Sequence, residues 1–205
     1  MAEVAALAKY VYNSNRLDGV HIPFETTLQL IESPPDPRED SVEIPALEGD
    51  KTYFHYHVTS HFEAVQYLSH LARMVPITQD HIRDLHRRLM EGVILSNGEY
   101  RECTLRYRNM QPLSPEQIDS RMQRVLAIMN QGLERARDKS VLGWQVHHEF
   151  IHVHPFIEGN GRTARLLLNL VRLRAGLEIE IIPFAEHERY LRSILAYGRK
   201  LAGIA

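Results

Sequence analysis

The sequence predicts a mainly α fold, and three observations carry the prediction. Apolar residues recur at helical spacing along most of the chain, capping and stop residues bracket those stretches, and period-two alternation is confined to one short piece. Residues 3 to 17 put Val4, Leu7 and Val11 on one face, and Asp18-Gly19 supplies a stop. Glu25 to Ile31 reads as a second, short helix. From Ser33 the run Ser-Pro-Pro-Asp-Pro-Arg-Glu-Asp is a loop, because closely spaced prolines break both helices and ladders. Tyr53-Phe54-His55-Tyr56-His57-Val58 reads as a short strand or an extended segment. His61 to Met74 is amphipathic, and Thr78 caps a helix from Gln79 to Met90 that carries Ile82, Leu85 and Leu89 inward.

Asn97-Gly98 marks a turn, after which Cys103, Leu105 and Tyr107 alternate with charged and polar neighbours as a short extended piece. Ser114 and Pro115 open a long helix to about Ala136, with Met122, Val125, Leu126, Met129 and Leu133 as its buried stripe. Ser140 to Val153 and Thr163 to Ala175 read as two helices around a loop, and Arg189 to Leu201 as the last. Glu178 to Pro183 reads as extended. Seven or more helices with very little strand result.

Composition narrows the class. At 205 residues, 44% apolar and 24% charged, the chain reads as one compact soluble domain spanning 1–205. A net charge of −2 makes no electrostatic case for nucleic acid. No apolar run approaches the ~18 residues that a membrane helix needs, and the N-terminus has no signal-peptide pattern. Cys103 is the single cysteine, which excludes an internal disulfide and fits a reducing, cytoplasmic setting.

The chemistry concentrates in His154-Pro155-Phe156-Ile157-Glu158-Gly159-Asn160-Gly161-Arg162-Thr163-Ala164-Arg165. Arginines at the start of a helix oppose its macrodipole, whose positive end attracts anions. An anion held between the backbone N–H groups and both guanidiniums resolves that conflict, and a phosphate fits best. Gly159 and Gly161 allow the backbone to form an anion nest. Glu158 is a hard oxygen ligand suited to Mg²⁺, and His154 suits proton transfer near neutral pH. Arg162, Arg165, Asn169 and Arg172 form one polar stripe on an otherwise apolar helix, which is therefore central, with one side on a cleft.

This stretch resembles the motif of the Fic (filamentation induced by cyclic AMP) domain, His-x-Phe-x-Asp/Glu-Gly-Asn-Gly-Arg-x-x-Arg, at every fixed position. Gly98-Glu99-Tyr100-Arg101 resembles the start of that family's target-docking flap. The resemblance implies a compact helical bundle with a short β-hairpin flap over 98–112 and the active-site loop at 154–165. It further implies His154 as general base toward a target hydroxyl, Glu158 as the Mg²⁺ ligand, and Gly159, Asn160 and Gly161 as the anion hole. Arg162 would pair with a phosphate, Arg165 with the γ-phosphate of ATP, and Tyr190 would line the adenine pocket. The implied reaction moves AMP from ATP to a Ser, Thr or Tyr hydroxyl of a protein target, the chain itself among the candidates. Gly161 stands where the kinase-like branch has Lys, which favours nucleotidyl transfer.

Ser14-Asn15-Arg16-Leu17-Asp18-Gly19 resembles the family's inhibitory helix, placed here within residues 1–20, with Ser14 and Asp18 as its regulatory residues. Asp18 stands in place of the usual Glu and is one methylene shorter. Family members with other donors, or running the reaction in reverse to remove AMP, mark the neighbouring alternatives. Two further readings come from other classes. His148-Glu149-Phe150-Ile151-His152 matches the His-Glu-x-x-His pattern of zinc metallopeptidases. A binding module that has lost catalysis is the other, and intact His154, Glu158 and Arg165 argue against it.

Overall fold

In the computed structural model, which describes residues 2–35, 54–105 and 113–203, the chain is built from helices. In order they are α1 (Ala2–Leu17), α2 (Phe24–Glu32), α3 (Phe54–Leu71), α4 (Gln79–Leu89), α5 (Pro115–Arg135), α6 (Lys139–Val153), α7 (Asn160–Arg174) and α8 (His187–Leu201), with a 3₁₀ turn at Phe184–Glu186 before α8. None of these helices is long and apolar enough to cross a membrane.

The boundaries follow local chemistry. Thr78 accepts a hydrogen bond from the His81 N–H, and the Asp138 carboxylate accepts from the N–H groups of Ser140 and Val141, so α4 and α6 both start on side-chain caps. Gly19, at φ +87°, ends α1: its N–H reaches the Arg16 carbonyl and the next N–H reaches Asn15.

α7 is the axis of the bundle and packs against α1, α3, α4, α5 and α6. Leu166, Leu167, Leu168, Leu170 and Val171 are all fully buried, each burial worth about 1.5–3 kcal/mol. α6 packs tightly on α7 at Gly143, where a Cβ would meet Leu168 Cδ1 at 2.8 Å and its carbonyl oxygen at 3.2 Å. The polar stripe on α7 divides in two. Arg162 and Arg165 face the site, while Asn169 and Arg172 pin the returning chain. Asn169 exchanges two hydrogen bonds with the Glu180 backbone, and Arg172 Nε donates to the Glu178 carbonyl.

The structure departs from the sequence-based expectations in several places. Phe54–Val58 is neither strand nor extended segment but the first turns of α3. Val58, His61, Val65 and Leu68 form one buried helical stripe, and that packing overrides the β preference of the aromatic run. α7 begins at Asn160 rather than Thr163, because Gly159 takes the left-handed N-cap conformation, φ +75° and ψ 5°. No strand forms among the described residues, so the hairpin expected over 98–112 is not present in 98–105. There the main chain bonds elsewhere, with the Glu99 N–H on the Ser96 carbonyl and the Arg101 N–H on the Pro155 carbonyl. Positions 106–112, including Tyr107, and the loop and ambiguous stretch over 36–53 lie outside the described residues.

Candidate active site

The loop between α6 and α7 is shaped before any ligand is considered. Asn160 Oδ1 accepts from the Phe156 N–H and its Nδ2 donates to the Phe156 carbonyl, closing the turn. Phe156 is fully buried and stacks on His86, with centroids 3.6 Å apart and planes 9° from parallel. His86 Nδ1 accepts from the Gly98 N–H, which leaves its Nε2–H for the Glu158 carbonyl. The Asn160 side chain is therefore occupied with Phe156, and only its backbone remains for any other partner.

His154 caps the C-terminus of α6 in the left-handed conformation, φ 50° and ψ 59°. It is 7% exposed, and the residue lines a cavity of about 420 Å³ together with Asp18, Glu158, Gly159, Asn160 and Gly161. Burial is the main force lowering its pKa to about 4, opposed by a backbone hydrogen bond at Ile151 and aided by Arg101. At neutral pH the imidazole is uncharged and able to accept a proton.

The two arginines are fully buried and their partners are specific. Arg165 Nη2 meets Asp18 Oδ1 at 3.0 Å and the Ser14 carbonyl at 2.7 Å. Its Nε donates to Ser14 Oγ and its Nη1 to Tyr190 Oη. Arg162 Nε lies 3.4 Å from Asp18 Oδ2, its Nη2 3.5 Å from Glu158 Oε1, and its Nη1 donates to His57 Nδ1 at 2.8 Å. Burial works to lower the Arg165 pKa, but the Asp18 carboxylate and the Tyr190 and Tyr10 oxygens outweigh it and the pKa is raised. Burial lowers Arg162, which shares the same carboxylate at longer range. Burial, then Arg162, holds the His57 pKa at about 4, so a neutral imidazole accepts from the guanidinium.

Asp18 thus reaches both arginines despite its missing methylene. A Cβ on Gly161 would stand 2.6 Å from Asp18 Oδ1 and 3.2 Å from Arg165 Nη1, so glycine is what lets the carboxylate enter the nest. The pocket therefore already holds an anionic group between both guanidiniums and the start of α7. Its donor set suits phosphate oxygens in the same place. Glu158 projects from the rim, its carboxylate half exposed and accepting from the Gly159 N–H. A hard-oxygen donor of that kind, beside donors that suit phosphate oxygens, fits Mg²⁺.

The remaining predicted residues fall elsewhere. Tyr190 is buried behind Arg165, shares a hydrogen bond with His147 Nε2, and lines a different cavity with Trp144 and His148. The His148 and His152 Nδ1 atoms bond to the carbonyls four residues back, and Glu149 accepts from Tyr197 Oη. Among the described residues no group of three His, Cys, Asp or Glu side chains could hold a metal, which leaves the peptidase pattern without a built site. His57, His86 and Arg101 were not singled out from sequence, since each meets the loop across 53 or more positions. Only the aromatic-histidine run before residue 58 and the Gly98-Glu99-Tyr100-Arg101 segment pointed in their direction.

A helical bundle thus presents a histidine, a carboxylate and paired guanidiniums around the start of a buried helix. The Fic/DOC family model matches residues 76–171 of the chain. It is 28% identical over 193 residues to a protein named protein adenylyltransferase Fic from Nematostella vectensis, covering 90% of this chain and 42% of that one. The namesake from Drosophila grimshawi is 27% identical over 191 residues, covering 92% and 38%. The chain thus spans about two-fifths of the length of these curated relatives. Among solved structures, a Fic domain containing signaling protein from Bacteroides thetaiotaomicron superposes with a TM-score of 0.82 at 23% identity, covering 94% of this chain and 72% of that one. Fic-1 (residues 134–508) from C. elegans gives 0.79 at 26% identity, covering 94% and 55%.

Proposed function

We propose that this chain is a protein adenylyltransferase that moves AMP from ATP to a hydroxyl side chain of a protein target. The reading rests on one observation above the others: a carboxylate occupies the nest between Arg162, Arg165 and Gly161, in the same cavity as a neutral His154. In this reading the α7 N–H groups, Arg162 and Arg165 take the phosphates of ATP in place of that carboxylate. His154 accepts the proton of the target hydroxyl, whose oxygen bonds to the α-phosphorus as pyrophosphate leaves. The two guanidiniums and the nest stabilise the charge that builds on the phosphate oxygens, and such preorganised electrostatics, with positioning, dominates catalysis of this kind. Mg²⁺ held by Glu158 would neutralise further phosphate charge. The named activity of the curated relatives agrees with this assignment.

Residues 1–205 act as one domain in this reading, with 154–165 as the catalytic loop and 98–112 holding the target segment by main-chain pairing. Ser14 and Asp18 are the inhibitory elements, competing with ATP for Arg165. A cytoplasmic setting goes with the single cysteine. The test is mass spectrometry of the wild type, Asp18→Gly and His154→Ala after incubation with ATP and Mg²⁺, with and without added protein acceptors. The expected result is a mass of one AMP on protein in the first two, strongest in Asp18→Gly, and none in His154→Ala. Transfer undiminished in His154→Ala would refute the assignment, as would no transfer from Asp18→Gly.

A further inference from the structure

Arg101 lies outside the active-site motif, yet it is only 3% exposed, and its side chain donates to main-chain oxygens. Its Nε donates to the His154 carbonyl at 2.8 Å, its Nη1 to the Cys103 carbonyl at 2.7 Å and its Nη2 to the Leu113 carbonyl at 2.6 Å. Its backbone N–H donates to the Pro155 carbonyl at 2.9 Å. Burial lowers its pKa, and no carboxylate among the described residues pairs with it to offset that. Cys103 offsets part of that cost, but a buried cation whose side-chain hydrogen bonds, among the described residues, all go to carbonyls remains costly to keep, so what it holds is informative.

It holds the backbone of the base. The carbonyl of His154 belongs to the last turn of α6, where no intrahelical N–H is available to it. His154 also sits in the left-handed region, an unfavourable place for any residue with a Cβ. Two donors from one residue, the Arg101 N–H and Nε, fix the consecutive carbonyls of Pro155 and His154. The other edge of the same rigid guanidinium fixes Cys103 and Leu113. Because the fork is planar, a shift at one of these carbonyls is felt at the others.

We propose that Arg101 is a positioning residue for His154, holding the His154–Pro155 backbone in its left-handed turn and coupling that geometry to the main chain at Cys103 and Leu113. The assignment deepens the transferase reading and rests on it for its catalytic consequence. An acceptor that displaces the chain at Cys103 or Leu113 therefore reorients the base, so target binding and proton transfer are linked through one side chain.

The test compares Arg101→Lys and Arg101→Gln with the parent, each made in the Asp18→Gly background. Transfer should fall about tenfold or more in kcat, as expected when a reacting group is displaced by a fraction of an ångström, while Kd for ATP stays within about twofold. Lys, with a point charge in place of the fork, should restore little. Independently of activity, amide exchange at Phe156 and Ile157 should rise together with that at Thr104 and Ser114, and the His154 resonance should titrate closer to its ordinary value. An unchanged kcat overturns the proposal, as does faster exchange confined to Thr104 and Ser114 with an unaltered His154 titration. Uniform exchange across α7 in both variants would assign Arg101 to the fold alone and overturn it too. If the parent transfers nothing, the transferase reading fails by itself, and the exchange and titration results still decide whether Arg101 positions His154.

Discussion

Replacing Asp18 by Asn keeps the shape of the side chain and removes the charge that two buried guanidiniums share. Asp18 meets Arg165 at 3.0 Å and Arg162 at 3.4 Å, with its own side chain 18% exposed and theirs 1–2%. Breaking a buried pair from one side leaves uncompensated buried charge and costs about 3–5 kcal/mol. The partial exposure of Asp18 places the loss near the lower end, about 3 kcal/mol. For a domain of this length that lowers Tm by about 6–12 °C. ATP should gain what the carboxylate no longer contests. At about 1.4 kcal/mol per tenfold, affinity should rise between roughly tenfold and a hundredfold, and ATP should recover most of the lost Tm. Thermal unfolding with and without ATP and Mg²⁺, together with calorimetric titration, measures both quantities. An Asn variant whose Tm lies within about 2 °C of wild type, and whose ATP affinity is unchanged, would refute the competition between Asp18 and phosphate.

Other outcomes follow from the same geometry. His154→Ala should lower transfer by about 10²–10⁴ in kcat while leaving ATP affinity near its parent value, measured by initial rates and titration. Tyr190→Phe removes the oxygen between Arg165 Nη1 and His147 Nε2 and should cost about 1–3 kcal/mol in denaturant unfolding. Stability should fall as pH drops from about 6.5 toward 4. Burial first of all holds His57, His86 and His154 near pKa 4, against an ordinary value of 6.5. Between those values the unfolded chain binds more protons, so the stabilisation is complete above about pH 6.5 and is lost as pH falls through about 4, by up to about 3 kcal/mol per histidine. A flat Tm across that range would contradict the buried neutral assignment. Leu167→Ala in the centre of α7 should cost about 2–5 kcal/mol by leaving a cavity, read from the shift in denaturant midpoint.

The residues that gather around the Asp18 carboxylate at the start of α7 were legible because they are local. A helix start that combines Gly159 and Gly161 with Arg162 and Arg165 carries its electrostatic conflict within a few positions, and the resolution by an anion follows from the macrodipole alone. Most helices were legible for a similar reason, since period and caps are properties of consecutive residues. Phe54–Val58 was not, because its aromatic and β-branched residues favour extended chain and only the burial of Val58 and His61 against other helices selects α3. The hairpin failed in 98–105 for a comparable reason, the Arg101 N–H having a partner at Pro155 that no local pattern announces.

By itself, then, the sequence determined the helical class and the stretch joining α6 to α7 that carries the candidate histidine, carboxylate and guanidiniums. Tertiary structure alone decided how those groups are held. Ser14 meets Arg165 across 151 positions, His57 meets Arg162 across 105, and Arg101 meets His154 across 53. Whether Asp18 could reach Arg165 was likewise undecidable from its side-chain length. The end of α1 packs close enough to the start of α7 for the shorter carboxylate to bridge both arginines, and glycine at 161 leaves it the room. Periodicity and composition describe what each segment can bury, but hydrogen-bond and ion-pair partners depend on ångström distances between segments, which only the packed core sets.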